Sequence, residues 1–173
     1  MDLNKFKSKI IALYQSLRSE KKAKFNRHVS FGDLFTDRWD TARYLGFGDG
    51  SSCYDNVLVL GDVAVGENTW IGPNVILDGR FERLEIGDYC SISAGVQIYT
   101  HDTVRWSISL GKEPEEHAPT KIGSGVYIGP NSIISMGVSI GDRAVIGAQS
   151  FVNTDIPEEA RAWGSPARVQ TQN

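Results

Sequence analysis

A three-sided coil of short parallel strands is the fold class this sequence predicts, and three observations predict it. Aliphatic residues recur every six positions from residue 57 onward. A glycine often follows the aliphatic directly, and a small or branched residue stands four places past it.

The aliphatic row is the strongest of the three. Val59, Val65, Ile71 and Leu77 are six apart, and Ile86, Ile92 and Ile98 continue after a three-residue insertion near Arg80–Glu82. Ile122, Ile128, Ile134, Ile140, Ile146 and Val152 then run without a break. Where one residue in four is aliphatic, six in a row at fixed spacing arise by chance roughly one time in a thousand. Neither the helical period nor the strand period of two gives a repeat of six. Three six-residue segments, each a short strand and a turn, close one coil of about eighteen residues with the aliphatic inside. Each coil needs its neighbours to bury its core. The second row includes Gly66, Gly72, Gly87, Gly123, Gly129, Gly141 and Gly147, and glycine suits a tight backbone turn. The third row, from Val63 and Thr69 to Ser150 and Ile156, fills the corners. The predicted class is therefore all-β: a left-handed parallel β-helix, which departs from the right-handed crossover rule and needs a signal this strong.

Other elements hang on that coil. Residues 2–22 read as an amphipathic helix, with Leu3, Phe6, Ile10, Tyr14 and Leu17 three or four apart and lysines between. Residues 25–56 mix aromatics with turn-rich runs and read as an irregular cap on the first end. The expected organisation is 1–56 for helix and cap, then 57–173 for the coil. Residues 101–120, HDTVRWSISLGKEPEEHAPT, are too polar and proline-containing for a buried coil. Ile122 resumes in register, so this stretch is a long excursion loop from one corner, a place where scaffolds often carry function. After residue 157 the repeat gives way to a turn-rich tail.

Composition narrows the function classes. A net charge of −3 argues against general nucleic-acid binding. Residues 1–27 hold eight basic residues against two acids, so the remainder carries −9 against the arm's +6. That asymmetry gives the arm a role of its own: packing on the coil or its assembly, or peripheral contact with anionic lipid through residues 2–22. Cys53 and Cys90 make no disulfide framework or metal spacing and read as structural. No apolar run has the length of a membrane span and no signal peptide is evident, so cytoplasmic residence is expected, with membrane association through the helix as the variant.

The stretches VGENTWIGPNVILDG, IGDYCSISAGVQIYTHD and KIGSGVYIGPNSIISMGVSIGDRAVIGAQSFVNTDIPEEARAWGSPARV carry a resemblance. From Val57 to Val169 the chain resembles the hexapeptide-repeat acyltransferases. It looks closest to the galactoside, maltose and xenobiotic acetyltransferase branch, and within it to sugar O- or N-acetyltransferases of bacterial surface-polysaccharide pathways. The resemblance implies a homotrimer of parallel prisms with active sites at the subunit clefts. It implies acetyl-coenzyme A as acyl donor, no metal, and a sugar as acceptor.

Acyl transfer needs a base, oxyanion donors and a groove for the donor's long arm. His101 stands where the repeat breaks into the loop and matches the family's catalytic histidine. A neutral imidazole can take the acceptor's proton and return it to the leaving thiolate. Asp102 follows it and can orient the ring, bind the acceptor or simply shape the turn. Asn74 and Asp78, one coil earlier, are candidates for acceptor binding by likeness to the family, or plain corner residues. Gly147 and Ala148 match the place where backbone amides meet the pantetheine arm, or are plain corner residues; Tyr127 stands where the family often has Trp at a stacking position; and Arg161 and Arg168 are, by likeness to the family, basic tail residues for the cofactor's phosphates, or solvated charges. Glu116 and His117 read as surface residues. With no base paired to either cysteine, direct transfer in a ternary complex is expected.

Two other functions compete. A zinc carbonic anhydrase on this prism needs three converging histidines, and His28, His101 and His117 are all the chain has. A scaffold or binding module would use the prism as a spacer, but a spacer has no need of a polar loop bearing His101.

Overall fold

The structure is a computed structural model that describes residues 2–170; residue 1 of the expected first region and residues 171–173 of the expected second lie outside the described residues.

The coil is present with the predicted step. Ser52 pairs with Trp70, Tyr127 with Val145 and Ile133 with Phe151, each parallel and eighteen residues apart. Three faces follow. The first stacks Ser52–Cys53, Trp70–Ile71, Ser91–Ile92, Tyr127–Ile128, Val145–Ile146 and Arg161–Gly164. The second stacks the first half of Leu58–Val65, the first half of Ile76–Ile86, Gln97–Tyr99, Ile133–Ile134 and Phe151–Val152. The third stacks the second halves of those two long strands, Thr120–Ile122 and Ser139–Ile140. The first rung begins at Ser52, ahead of the boundary read from the repeat.

The aliphatic row is the core. Ile71, Leu77, Ile92, Ile98, Ile128, Ile134 and Ile146 are completely buried, and Val59, on the first coil, is half-buried. The corner row is buried as well from Thr69 onward, with Val63 half-buried, and its polar members are satisfied between coils: Thr69 Oγ1 donates to the Gly87 carbonyl at 2.9 Å and Ser132 Oγ to the Gly147 carbonyl at 2.9 Å.

The glycine row has a different cause from the one expected. These glycines do not have positive φ; the left-handed corners fall instead on residues such as Asn74 (φ 58°), Asn131 (φ 57°) and Gly137 (φ 75°). The glycines are needed because coils approach closely. A Cβ on Gly129 would stand 2.5 Å from the Ala148 backbone nitrogen.

Helices accompany the coil, one of them the expected N-terminal helix. Four helices occur among the described residues: α1 (Leu3–Phe25), α2 (Gly32–Phe35), α3 (Arg38–Tyr44) and α4 (Val104–Ile108). Sequence periodicity reveals α1 alone, because the other three are seven residues or shorter. Asp2 caps α1 by accepting from Asn4 N–H at 3.0 Å, and Asn26 ends it in the left-handed conformation. α2, α3 and the turn after them form the cap, with Ala42 and Phe47 buried in the same core as the coil. α1 contacts α2, where Tyr14 stacks on Phe31 at 5.7 Å, while Leu3, Phe6, Ile10 and Leu13 stay exposed.

The period breaks twice, and both breaks fall at the corner between the second and third faces. Leu58 to Gly61 pair with Ile76 to Gly79, but Val63 pairs with Leu84, so Arg80–Arg83 bulge outward opposite Asp62. In the adjoining coil the excursion leaves after Thr100. His101–Asp102 and Glu116–His117 form its antiparallel base, α4 lies between them, and Ala118 N–H closes on the Thr100 carbonyl at 3.0 Å. The tail is a hairpin, with Arg161–Gly164 antiparallel to Ala167–Val169.

Candidate functional site

The twice-broken corner gathers chemistry that the regular coils lack. Asp78 lies at the end of a second-face strand, paired in register with Tyr99. Its side chain is 2% exposed. A buried carboxylate is costly unless paired and hydrogen-bonded. Arg80 supplies both: its Nε donates to Oδ1 at 3.0 Å, its Nη2 to Oδ2 at 2.8 Å, and its backbone N–H to Oδ1 at 3.2 Å. Burial pushes the Asp78 carboxyl up, but the Arg80 hydrogen bonds and charge, with a contribution from His101, hold it below its ordinary value. Asp78 is therefore a fixed anion.

His101 faces that anion. Its Nδ1 lies 3.8 Å from Asp78 Oδ2, and its side chain is 13% exposed. Nδ1 is fully buried, and no hydrogen-bonding group of the described residues pairs with it. A carboxylate on that side favours the proton on Nδ1 and leaves the Nε2 lone pair free. Nε2 makes no hydrogen bond among the described residues and, unlike Nδ1, is not sealed from solvent. Thr100 locks the backbone just before the ring: it is completely buried, and its Oγ1 donates to the Asp78 carbonyl at 2.9 Å. The result is an imidazole with one nitrogen held against a fixed negative charge and the other available as a base.

The insertion covers this ring. Phe81 lies over His101 with centroids 4.5 Å apart. It also lies near-parallel to His117 at 6.2 Å, and His117 is the cross-strand partner of His101. His117 Nδ1 meets Glu82 Oε1 at 2.9 Å. Arg80, Phe81 and Glu82 thus each reach into the site. The three-residue slip between Leu77 and Ile86 is the signal that marks them, although it does not say what they touch.

The other sequence candidates distribute differently. Asp102 does not orient the ring: its Oδ1 accepts from Val104 N–H at 3.0 Å and starts α4, and Asp78 holds the place beside His101. Asn74 is a left-handed corner residue whose Oδ1 accepts from Asn56 at 2.8 Å; it lies on the edge between the first and second faces. Gly147 and Ala148 share that edge, and Tyr127 and Arg161 stand in one row on the first face through Val145. Arg168 lies on the tail hairpin opposite Trp163. Within one chain these residues are on a different edge of the prism from His101. Sequence reading missed Trp163, which is half-exposed and passes so close to Gly147 that a Cβ there would stand 2.7 Å from its own Cβ.

The histidines of the zinc alternative do not converge. His28 lines a hollow with Gln15, Arg18 and Lys22 of α1, away from His101 and His117, and no three metal-ligating side chains cluster among the described residues. None of the residues around His101 lines this hollow beside α1. No helix among the described residues is long and apolar enough to cross a membrane.

Known proteins place this geometry. Residues 119–154 match the family model described as bacterial transferase hexapeptide (six repeats). The chain is 35% identical over 125 residues to galactoside O-acetyltransferase of Escherichia coli strain K12, covering 61% of each chain. It spans about six tenths of the length of that relative. Among solved structures, the hexapeptide-repeat containing acetyltransferase VCA0836 from Vibrio cholerae superposes with a TM-score of 0.65 at 28% identity, over 91% of both chains. A maltose O-acetyltransferase from Clostridium difficile 630 does so with a TM-score of 0.58 at 29% identity, over 94% of this chain and 87% of the other. With its six-residue period, its three-faced coil and these likenesses, the chain belongs to the hexapeptide-repeat transferase family.

Proposed function

We propose that the protein transfers an acetyl group from acetyl-coenzyme A to a hydroxyl or amino group of a sugar, with His101 as general base. The observation that carries this reading is the imidazole itself, buried at Nδ1 against the Asp78–Arg80 ion pair and open at Nε2. The sugar acceptor and the acetyl donor come from the relatives, which include sugar O-acetyltransferases.

The chemistry follows from that placement. Nε2 takes the proton of the acceptor O–H or N–H while the acceptor's lone pair adds to the thioester carbonyl carbon. Positive charge then develops on the ring, and the Asp78 carboxylate stabilises it through Nδ1–H. When the tetrahedral adduct collapses, the carbon–sulfur bond breaks, and the thiolate takes the proton back from Nε2. Asp78 supplies charge and orientation without taking a proton.

The coil is left-handed in this reading, as in the family, and the active unit is a homotrimer. One copy would supply His101 and a neighbour the donor groove of Tyr127, Gly147, Ala148, Arg161 and Arg168. The support is the separation of these residues onto different edges of one chain. Asn74 and Asp102 remain candidates for the acceptor side. The same reading places the enzyme in the cytoplasm, in bacterial surface-polysaccharide biosynthesis. The exposed stripe Leu3, Phe6, Ile10 and Leu13, flanked by lysines, supports peripheral contact of α1 with anionic lipid. Co-sedimentation with anionic vesicles checks this, and absence of binding at low salt rejects it.

A thiol-release assay with acetyl-coenzyme A across amino and hydroxyl sugars, free and nucleotide-linked, tests the function. Acceptor-dependent release is the expected result. No release with any sugar, together with no coenzyme A binding by calorimetry, would favour the scaffold reading.

A further inference from the structure

The two breaks in the period are built against each other, which a random surface insertion would not do. The bulge at Arg80–Arg83 and the excursion base at His101–His117 occupy one corner in adjoining coils. Each inserted side chain has a partner there: Arg80 holds Asp78, Glu82 holds His117, and Phe81 lies across both imidazoles. Phe81 is nonetheless 44% exposed. A phenyl ring that served only to cover His101 would be placed to bury itself, since exposing it forfeits the burial that stabilises it. An exposed aromatic beside a base, rimmed by hydrogen-bonding groups, suits a ligand with an apolar face and polar edges.

We infer that Phe81 and His117 form the acceptor subsite, with the free side of the Phe81 ring taking the C–H face of a pyranose and His117 a neighbouring polar group of the sugar. This rests on the acyltransfer reading above and adds to it where the acceptor lies. Glu82 at Nδ1 directs the other nitrogen of His117, Nε2, away from the bulge, where it can bond a sugar hydroxyl. Arg80, held on Asp78 next to Phe81 in the bulge, adds a polar group to the same corner. The placement explains why the acceptor's reacting group would meet His101 Nε2: the platform covers the same imidazole that must accept the proton. It also gives the three-residue insertion a purpose the coil does not require, because the regular repeat closes this corner elsewhere without it.

Steady-state kinetics separate platform from cover. Phe81→Leu keeps an apolar group over His101 and removes the aromatic face; Phe81→Tyr keeps both; His117→Ala removes the second contact. The panel uses methyl β-galactoside, glucosamine and nucleotide-linked amino sugars, with acetyl-coenzyme A varied independently. With whichever sugar the wild type acetylates, Phe81→Leu is expected to raise the acceptor KM about tenfold and leave the acetyl-coenzyme A KM unchanged. Phe81→Tyr should restore the wild-type value, and His117→Ala should raise the acceptor KM by a few-fold. If wild type acetylates a sugar but Phe81→Leu changes kcat alone, Phe81 is a cover for His101, and the platform is overturned while the acyltransfer reading stands. If the wild type acetylates no sugar while binding coenzyme A, both fall together. Circular dichroism and coenzyme A binding of each variant establish that the fold is intact.

Discussion

The unbroken coils from Thr120 to Val152 and the corner at Asp78–Arg83 and Thr100–Ala118 are neighbours on one backbone, yet they solve opposite problems. In the coils every buried position is an aliphatic or a small residue whose polar atoms are satisfied, as with Ser132 on the Gly147 carbonyl. At the corner a carboxylate is buried and a ring nitrogen has no hydrogen-bonding partner among the described residues. The coil gains stability from repetition, and because every rung is alike no rung can hold a distinct chemical group. The corner holds one because the repeat fails there twice. Local departures from an otherwise consistent pattern are where function is expected.

The largest way to break this contrast is at its chemical centre. His101→Ala should lower acetyl transfer by about a thousandfold, since a positioned general base contributes roughly two to four orders of magnitude. Coenzyme A affinity by calorimetry should change little, because the groove proposed to hold the cofactor's arm is made of residues other than His101. Turnover within tenfold of wild type would remove His101 from the mechanism.

The converse change attacks the coil. Ile134 is completely buried between Ile98 and Val152. Ile134→Ala should cost about 2–5 kcal/mol of stability, read from denaturant unfolding at fixed protein concentration. The surviving folded fraction should keep wild-type turnover per active site. A loss below about 1 kcal/mol would mean the coil interior is looser than its burial indicates.

Asp78→Asn couples the two regions, because the residue is in the coil wall but serves the corner. It keeps shape and removes the charge that faces Nδ1, and it should lower kcat by about ten- to a hundredfold. A pH series gives an independent reading. The Asp78 carboxyl is held below its ordinary value, so the ionised form stabilises the fold fully above that value, about 3.9. That stabilisation is lost as pH falls through the folded value. The stability gap between wild type and Asp78→Asn should therefore be present at pH 7 and pH 5 and shrink below about pH 4. A gap that stays constant down to pH 2 would contradict the buried ion pair.

The sequence makes the coil legible and the corner only in part, for a physical reason. Ile122 to Val152 can be read because six-residue periodicity is a one-dimensional signal of burial. His101 can be read because the repeat stops at it and because of its likeness to the family's motif. Asp78 was visible as a candidate, but not as the partner of His101: they are twenty-three residues apart in sequence, and only the stacking of adjoining coils brings them together. Phe81 is legible as an insertion but not as a cover, since the path of a bulge depends on what it meets. The glycines show the opposite failure. Their positions were plain and their cause was not, because close approach between coils is a relation between residues about eighteen positions apart.

The smallest expected effect concerns the two thiols, and it sharpens the contrast by asking whether the coil interior has any chemistry of its own. Cys53 is completely buried; burial, with the nearby Asp33 and Asp55 charges, pushes its thiol up to about 12. Cys90 is buried too, its Sγ 3.0 Å from the Gly123 carbonyl, and burial raises its thiol above the ordinary value. A nucleophilic cysteine needs the thiolate, which positive charge or a paired base favours, and neither residue has such a partner among the described residues. An acyl-enzyme on sulfur would require a thiolate inside a packed hydrophobic prism, whereas direct attack by the acceptor uses the open Nε2 of His101. Native protein should therefore give almost no reaction with a thiol reagent until it unfolds. Cys53→Ala and Cys90→Ala should each keep acetyl transfer within about twofold of wild type, apart from any loss of folded protein. A burst of coenzyme A release in the absence of acceptor, abolished by either substitution, would place covalent chemistry inside the coil and erase the distinction between the two regions.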